Sequence, residues 1–214
     1  MRRRALLALP ALLAAPRSLV AKPLARLALQ PLGGALGAAD VALVSIALRA
    51  FYAVEVTPLP RVALPRRAYY PPRKRYRAEK LLDFLSARVP VGALGVLGLT
   101  ATDISTTKGD IADFGILGLA TIDGRVGVLS SFRCRRRARS ARHARERLGK
   151  VAVHELGHAF GLEHCPNRGC LMEDAEGSVL TCDREYELCA DCRGKLALAG
   201  HPLAEGGAPP WPRP

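Results

Sequence analysis

The chain has 214 residues, 49% hydrophobic and 5% aromatic, with a net charge of +13 at pH 7. That length accommodates one domain with a sizeable core and excludes two large ones, and the lack of any run of about eighteen apolar residues excludes a multi-span membrane protein. The positive charge is local, because residues 133–150 carry nine Arg/Lys against one Glu, while from His154 onward ten Asp/Glu face five Lys/Arg. Such a block reads as a solvated loop or helix face, and the lack of interleaved aromatics beyond Phe132 argues against a base-stacking platform for nucleic acid.

In chain order, residues 1–22 read as an extension. Their basic start and short apolar run imitate an export signal, but Pro10 interrupts the run, and cleavage after Ala15 or Ala21 would leave Leu at the −3 position. Residues 25–32 form an apolar run ended by Pro31 and Gly33, which predicts a buried strand. Apolar positions 41, 43, 44, 47 and 48 predict a helix over 38–50, with Asp40 near its start. Residues 51–58 alternate and are β-branched, a second strand. A Pro- and Arg-rich connector spans 58–77, and Leu81, Leu82 and Leu85 mark a helix over 77–88. A third strand over 93–105 runs into a loop carrying Asp103, and 113–122 with 125–132 form a hairpin turned at Asp123-Gly124. A helix over 140–160 closes the series. This order predicts a twisted mixed sheet with helices on one face and the last helix packed beneath it.

That last helix runs into HELGHAFGLEHC, residues 154–165, which holds three of the five histidines. His154 and His158 lie four residues apart, about 40° around a helix and one turn along it, so both imidazoles reach one ion. Glu155 is too close to His154 to share its geometry and can instead hold a water on that ion. Gly161 can stop the helix and turn the chain so that His164 supplies a third nitrogen. Three ligands plus one open position are what a catalytic zinc requires, and the full H-E-x-x-H-x-x-G-x-x-H spacing is far more specific than H-E-x-x-H alone.

A second donor set follows. Cys165 and Cys170, then Cys189 and Cys192, give C-x4-C and C-x2-C, four soft ligands for a closed structural zinc. Cys182 is a weaker candidate ligand, and Cys134 reads as a free thiol. Paired thiolates of this kind suit a reducing compartment rather than a disulfide framework. Because His164 and Cys165 are adjacent, the four-cysteine knot is expected to fix His164.

With HELGHAFGLEHC, the CLM of 170–172 and the CADC of 189–192, the chain resembles the archaemetzincin family of the metzincin clan. LALQPLG (27–33), AYYPPRKRYRAEKLLDFL (68–85), LGLTATDI (97–104), FGILGLA (114–120) and VGVLSSFR (126–133) extend the resemblance in the expected order, over roughly 24–198. One departure is the sixteen residues between Met172 and Cys189, one fewer than the family spacing, which bears on the loop more than on the ligands.

The resemblance implies an α+β, metzincin-like fold: a twisted mixed sheet, an active-site helix and a C-terminal four-cysteine subdomain. It implies a catalytic domain over 23–200, divided near 161–162, with a Pro/Gly-rich tail over 201–214. It implies two zinc ions per chain, Met172 in a turn beneath the histidines, and an intracellular zinc peptidase. The expected activity is peptide-bond hydrolysis by a monomer with no transmembrane span. Glu155 would act as general base, and extended peptide or protein substrates would add to an edge strand at 114–120. The competing reading is a zinc-stabilised module whose 133–150 segment grips nucleic acid or acidic partners, and an intact Glu155 argues against it. Cytoplasmic residence is expected, with export as the alternative if 1–21 are a signal.

Overall fold

The computed structural model describes residues 24–34 and 36–213, so the N-terminal extension lies outside the described residues. In chain order the first elements are β1 (Ala25–Leu32), α1 (Ala38–Phe51), β2 (Val54–Pro58), β3 (Tyr69–Tyr70), β4 (Arg75–Arg77), α2 (Ala78–Ser86) and β5 (Ala93–Thr100). There follow β6 (Ile104–Lys108), β7 (Ile111–Ile116), β8 (Gly118–Ala120), β9 (Val126–Ser130), α3 (Ser131–Cys134), α4 (Ala141–Ala159), α5 (Thr181–Arg184) and α6 (Ala190–Leu198).

The main sheet has the order β2-β1-β5-β9-β8, parallel throughout except for the antiparallel edge strand β8. Its central strands are apolar at nearly every position because both faces are covered. Leu27, Leu29, Leu97, Leu99 and Leu129 point to one side, where they pack with Val44 and Leu48 of α1 and Leu148, Ala152 and Leu156 of α4. The alternate positions Ala28, Leu32, Val96, Val126 and Val128 face the other side and meet Leu81, Leu82 and Leu85 of α2. The expectation of helices on one face is therefore corrected: α2 covers the opposite face, as continuous rather than alternating apolar strands demand.

A second, smaller sheet, β3-β4-β6-β7, was not expected. Part of the supposed connector pairs into it, since Tyr69 and Tyr70 fold back on Tyr76 and Arg75 around a Pro71-Pro72 turn. The expected hairpin over 113–122 and 125–132 holds only from Gly118 onward. Upstream, β7 pairs with β6, and the chain changes sheets at Leu117, whose carbonyl accepts the Ser130 N–H at 2.8 Å. Asp103 sits in the loop before β6 as expected, and it is buried between Arg75 (2.7 Å) and Arg133 (2.8 Å), which ties the small sheet to α3.

Helix α4 positions the site. The Ser140 side chain caps its start by accepting the His143 N–H at 3.1 Å. It crosses α1 closely where Gly149 meets Ala47 and Trp211, and a Cβ at Gly149 would lie 3.1 Å from the indole and 3.2 Å from Ala47. Trp211, from the Pro/Gly-rich end of the chain, is buried, stacks on Phe51 and donates its indole N–H to the Tyr186 carbonyl at 2.9 Å. Among the described residues no helix is long and apolar enough to cross a membrane.

Candidate active site

Helix α4 ends in a Schellman turn. Gly161 takes φ +85°, the Gly161 N–H bonds the His158 carbonyl and the Leu162 N–H bonds the Gly157 carbonyl, each at 2.9 Å. The hairpin turn between β8 and β9 reinforces this end, because the Asp123 and Gly124 N–H groups donate to the His158 and Ala159 carbonyls at 3.0 Å. The reversal brings His164 back over the helix, with its ring centroid 4.8 Å from that of His158 and 5.4 Å from that of His154. One nitrogen from each of the three rings lies within 4.8 Å of the others.

The hydrogen bonds of the two helical imidazoles fix their tautomers. His154 Nδ1 faces the Leu171 carbonyl at 2.7 Å and His158 Nδ1 faces the Leu162 carbonyl at 2.6 Å. A carbonyl only accepts, so both Nδ1 atoms carry the proton. Burial pushes the His154 imidazole down to about 3 and moves His158 the same way, which keeps both rings neutral. Both Nε2 atoms then present lone pairs to one another at 3.0 Å. Two lone pairs at that distance repel unless a cation lies against both. Tetrahedral zinc with bonds of about 2.1 Å separates its nitrogens by about 3.4 Å, so these donors fit such an ion.

Glu155 leans from α4 toward the edge strand. It is 4% exposed, its Oε2 has no hydrogen-bond partner among the described residues, and burial pushes its carboxyl up to about 8. A dication among the imidazoles acts in the opposite direction and favours the carboxylate. Gly118 of β8 abuts this side chain so closely that a Cβ there would collide with the Glu155 carboxylate. Met172 is fully buried beneath the helix, and a Cβ at Gly157 would lie 2.5 Å from its sulfur.

The four cysteines Cys165, Cys170, Cys189 and Cys192 also converge. Cys165 and Cys189 sulfurs lie 3.7 Å apart, as do those of Cys170 and Cys192. A tetrahedral zinc–thiolate cage with bonds of about 2.3 Å places its sulfurs about 3.8 Å apart, so the set fits zinc. Backbone N–H groups of Met172 and Cys189 point at Cys170 Sγ at 3.4 Å, as suits a thiolate. The shorter interval between Met172 and Cys189 does not keep Cys189 and Cys192 from the cluster. Cys134 and Cys182 are buried elsewhere.

Some of the site carries no side-chain signature. The Leu162 and Leu171 carbonyls orient the imidazoles, and Leu171 lies between Cys170 and Met172, so one short segment touches both donor sets. The basic block, expected as a solvated face, is partly internal. Arg147 is 1% exposed and grips Asp183 through Nε (2.7 Å) and Nη2 (2.6 Å), while Lys150 is buried and donates to the Cys182 and Glu185 carbonyls at 2.7 and 2.6 Å. These two cations latch α5 onto α4. A helical reading could have found them, since 147, 150, 151 and 154 fall on one face of the helix.

An extended zincin motif, carried on a helix beneath a mixed sheet with an antiparallel edge strand, defines the class: a zinc metallopeptidase. The family model described as Peptidase family M54 matches residues 38–197. Archaemetzincin of Haloquadratum walsbyi is 31% identical over 159 residues, covering 71% of this chain and 88% of that one, and archaemetzincin of Methanopyrus kandleri is 36% identical over 151 residues, covering 69% and 78%. The crystal structure of the Methanopyrus kandleri archaemetzincin superposes with a TM-score of 0.71 at 30% identity, over 87% of this chain and 98% of that one. That of the Archaeoglobus fulgidus protein gives 0.67 at 31% identity, over 79% and 99%. The chain belongs to peptidase family M54, the archaemetzincins.

Proposed function

We propose that the chain hydrolyses peptide bonds with zinc held by His154, His158 and His164, with Glu155 as general base, and that a second zinc on Cys165, Cys170, Cys189 and Cys192 is structural. The observation that carries the reading is the meeting of two proton-free imidazole nitrogens at 3.0 Å beside a buried carboxylate oxygen with no partner among the described residues. Zinc bound there supplies Lewis acidity and makes a nucleophile of water near neutral pH.

The chain's own residues do the rest. Glu155 takes the proton of the attacking water and delivers it to the amine nitrogen as the peptide bond breaks. Leu117 to Ala120 line the cavity along the free edge of the sheet, where an extended substrate adds by backbone pairing. Met172 supports the helix from below, and the Leu171 and Leu162 carbonyls hold the two imidazoles at fixed angles. Thiolates kept for a metal require reducing surroundings, so the cytoplasm is the fitting compartment. The rival reading, a basic binding module, loses support because Arg133, Arg147 and Lys150 are spent on internal partners.

The test is Glu155→Ala. The variant is expected to bind two zinc ions per chain and to lose about 10²- to 10⁴-fold in kcat on a peptide-library substrate. Hydrolysis at the wild-type rate would show that the base lies elsewhere.

A further inference from the structure

The cavity holding the three imidazoles, about 600 Å³ in volume, does not end at Glu155. It is also lined by Val151, one helical turn before Glu155, and by Leu117, Cys182 and Glu185. Glu185 follows directly on α5 and is 3% exposed.

The cations around Glu185 are committed to other groups. Arg147 pairs with Asp183, Arg184 pairs with Glu173, and the Lys150 ammonium is taken by two backbone carbonyls beneath α5. Lys150 lies outside the cavity lining, whereas Glu185 is part of it. Among the described residues the Glu185 carboxylate therefore has no ion-pair partner. Nor does the attachment of α5 need it, because the Arg147 and Lys150 latches already fix that turn. A buried carboxylate with no cation paired directly to it is costly to keep, and burial pushes this one up to about 8 even though Lys150, Arg184 and a hydrogen bond from Cys182 act in the opposite direction. An ammonium or guanidinium entering the cavity would supply the missing partner.

Which substrate side chain arrives there follows from the chemistry, and this step rests on the peptidase reading above. Glu155 delivers its proton to the leaving amine, so the residue after the scissile bond lies on the Glu155 side of the imidazoles. Its side chain is the one that can enter between Val151, Leu117, Cys182 and Glu185. The geometry points to Glu185 as a specificity-determining residue that selects lysine or arginine immediately after the cleaved bond. The rest of the lining agrees in sign, with Glu163 and Asp174 against Lys108 alone.

The experiment uses the zinc-loaded full chain and matched peptides carrying Lys or Met, similar in length, after the scissile bond. Wild type is expected to show kcat/KM at least about tenfold higher for Lys, and Glu185→Gln to bring the ratio within about threefold. Zinc content and melting check that the variant folds. A second measurement, free of turnover, compares binding of the same two peptides to zinc-loaded Glu155→Ala by fluorescence anisotropy, where Lys is again expected to bind more tightly. Equal use of Lys and Met by wild type, or a preference that survives in Glu185→Gln, overturns the assignment while leaving the peptidase intact. A zinc-loaded wild type that cuts no peptide overturns the peptidase reading, and this one with it.

Discussion

Replacing Arg147 by Met removes a guanidinium that is 1% exposed and makes four hydrogen bonds: two to the Asp183 carboxylate, one to the Cys134 carbonyl at 3.1 Å and one to the Arg136 carbonyl at 2.7 Å. The size of the pair can be read from Asp183, whose carboxyl Arg147, with His143 assisting, holds at about 2 against an ordinary 3.8. At 1.36 kcal/mol per unit that difference is about 2 kcal/mol, and two orphaned carbonyls add about 1 kcal/mol each, for a loss of about 4 kcal/mol. In a domain of this size that lowers the melting temperature by about 8–16 °C. The assay is urea unfolding in zinc buffer at pH 7, followed by fluorescence of Trp211, the sole tryptophan. A double-mutant cycle of Arg147→Met with Asp183→Asn isolates the pair and should return a coupling of about 2 kcal/mol. Because the folded carboxyl lies below its unfolded value, the contribution is complete above about pH 4 and is lost as the pH falls through about 2. A coupling under about 0.5 kcal/mol at pH 7 would mean that the ion pair is incidental and that α5 is held by something else.

Two further substitutions probe how the site is held. Gly118→Ala introduces a methyl group against the Glu155 carboxylate, and a displaced base should lower kcat by about 10²-fold at unchanged zinc content; wild-type turnover would show that Glu155 does not need its place beside β8. Cys189→Ser should release one zinc and, through the Cys170–Leu171–Met172 segment that holds the His154 ring, weaken the remaining zinc by about 10- to 100-fold in a chelator competition. One tightly held zinc with full peptidase activity would separate the two sites.

The parts legible in the sequence are those written in side chains at fixed intervals. Helix α4 was readable to within a residue or two at each end because Ser140 marks its cap and Gly161 its reversal, and the histidines could be placed because a helix has a known period. The four-cysteine cluster followed from ligand spacing alone. The small sheet was not readable, since strands of two or three residues such as β3 and β4 carry no alternation to detect. The switch between sheets at Leu117 was hidden because DFGILGLA is apolar on both sides of it, and the pattern does not change where the partner does. Arg147 and Lys150 were concealed by their neighbours, because a run of arginines advertises solvent while two of its members, one turn apart, point inward. The Leu162 and Leu171 carbonyls belong to every sequence equally, so only the fold selects them.

The turn at Asp123-Gly124, whose amides are bonded to the last carbonyls of α4, changes what this hairpin tolerates. A tight surface turn between two strands is ordinarily where an engineer would graft an epitope or lengthen a loop. Here the same graft would unfasten the strand that borders the cleft from the helix that supplies its chemistry. The loop at Val91, whose side chain is almost wholly in solvent between α2 and β5, offers a harmless place for a tag.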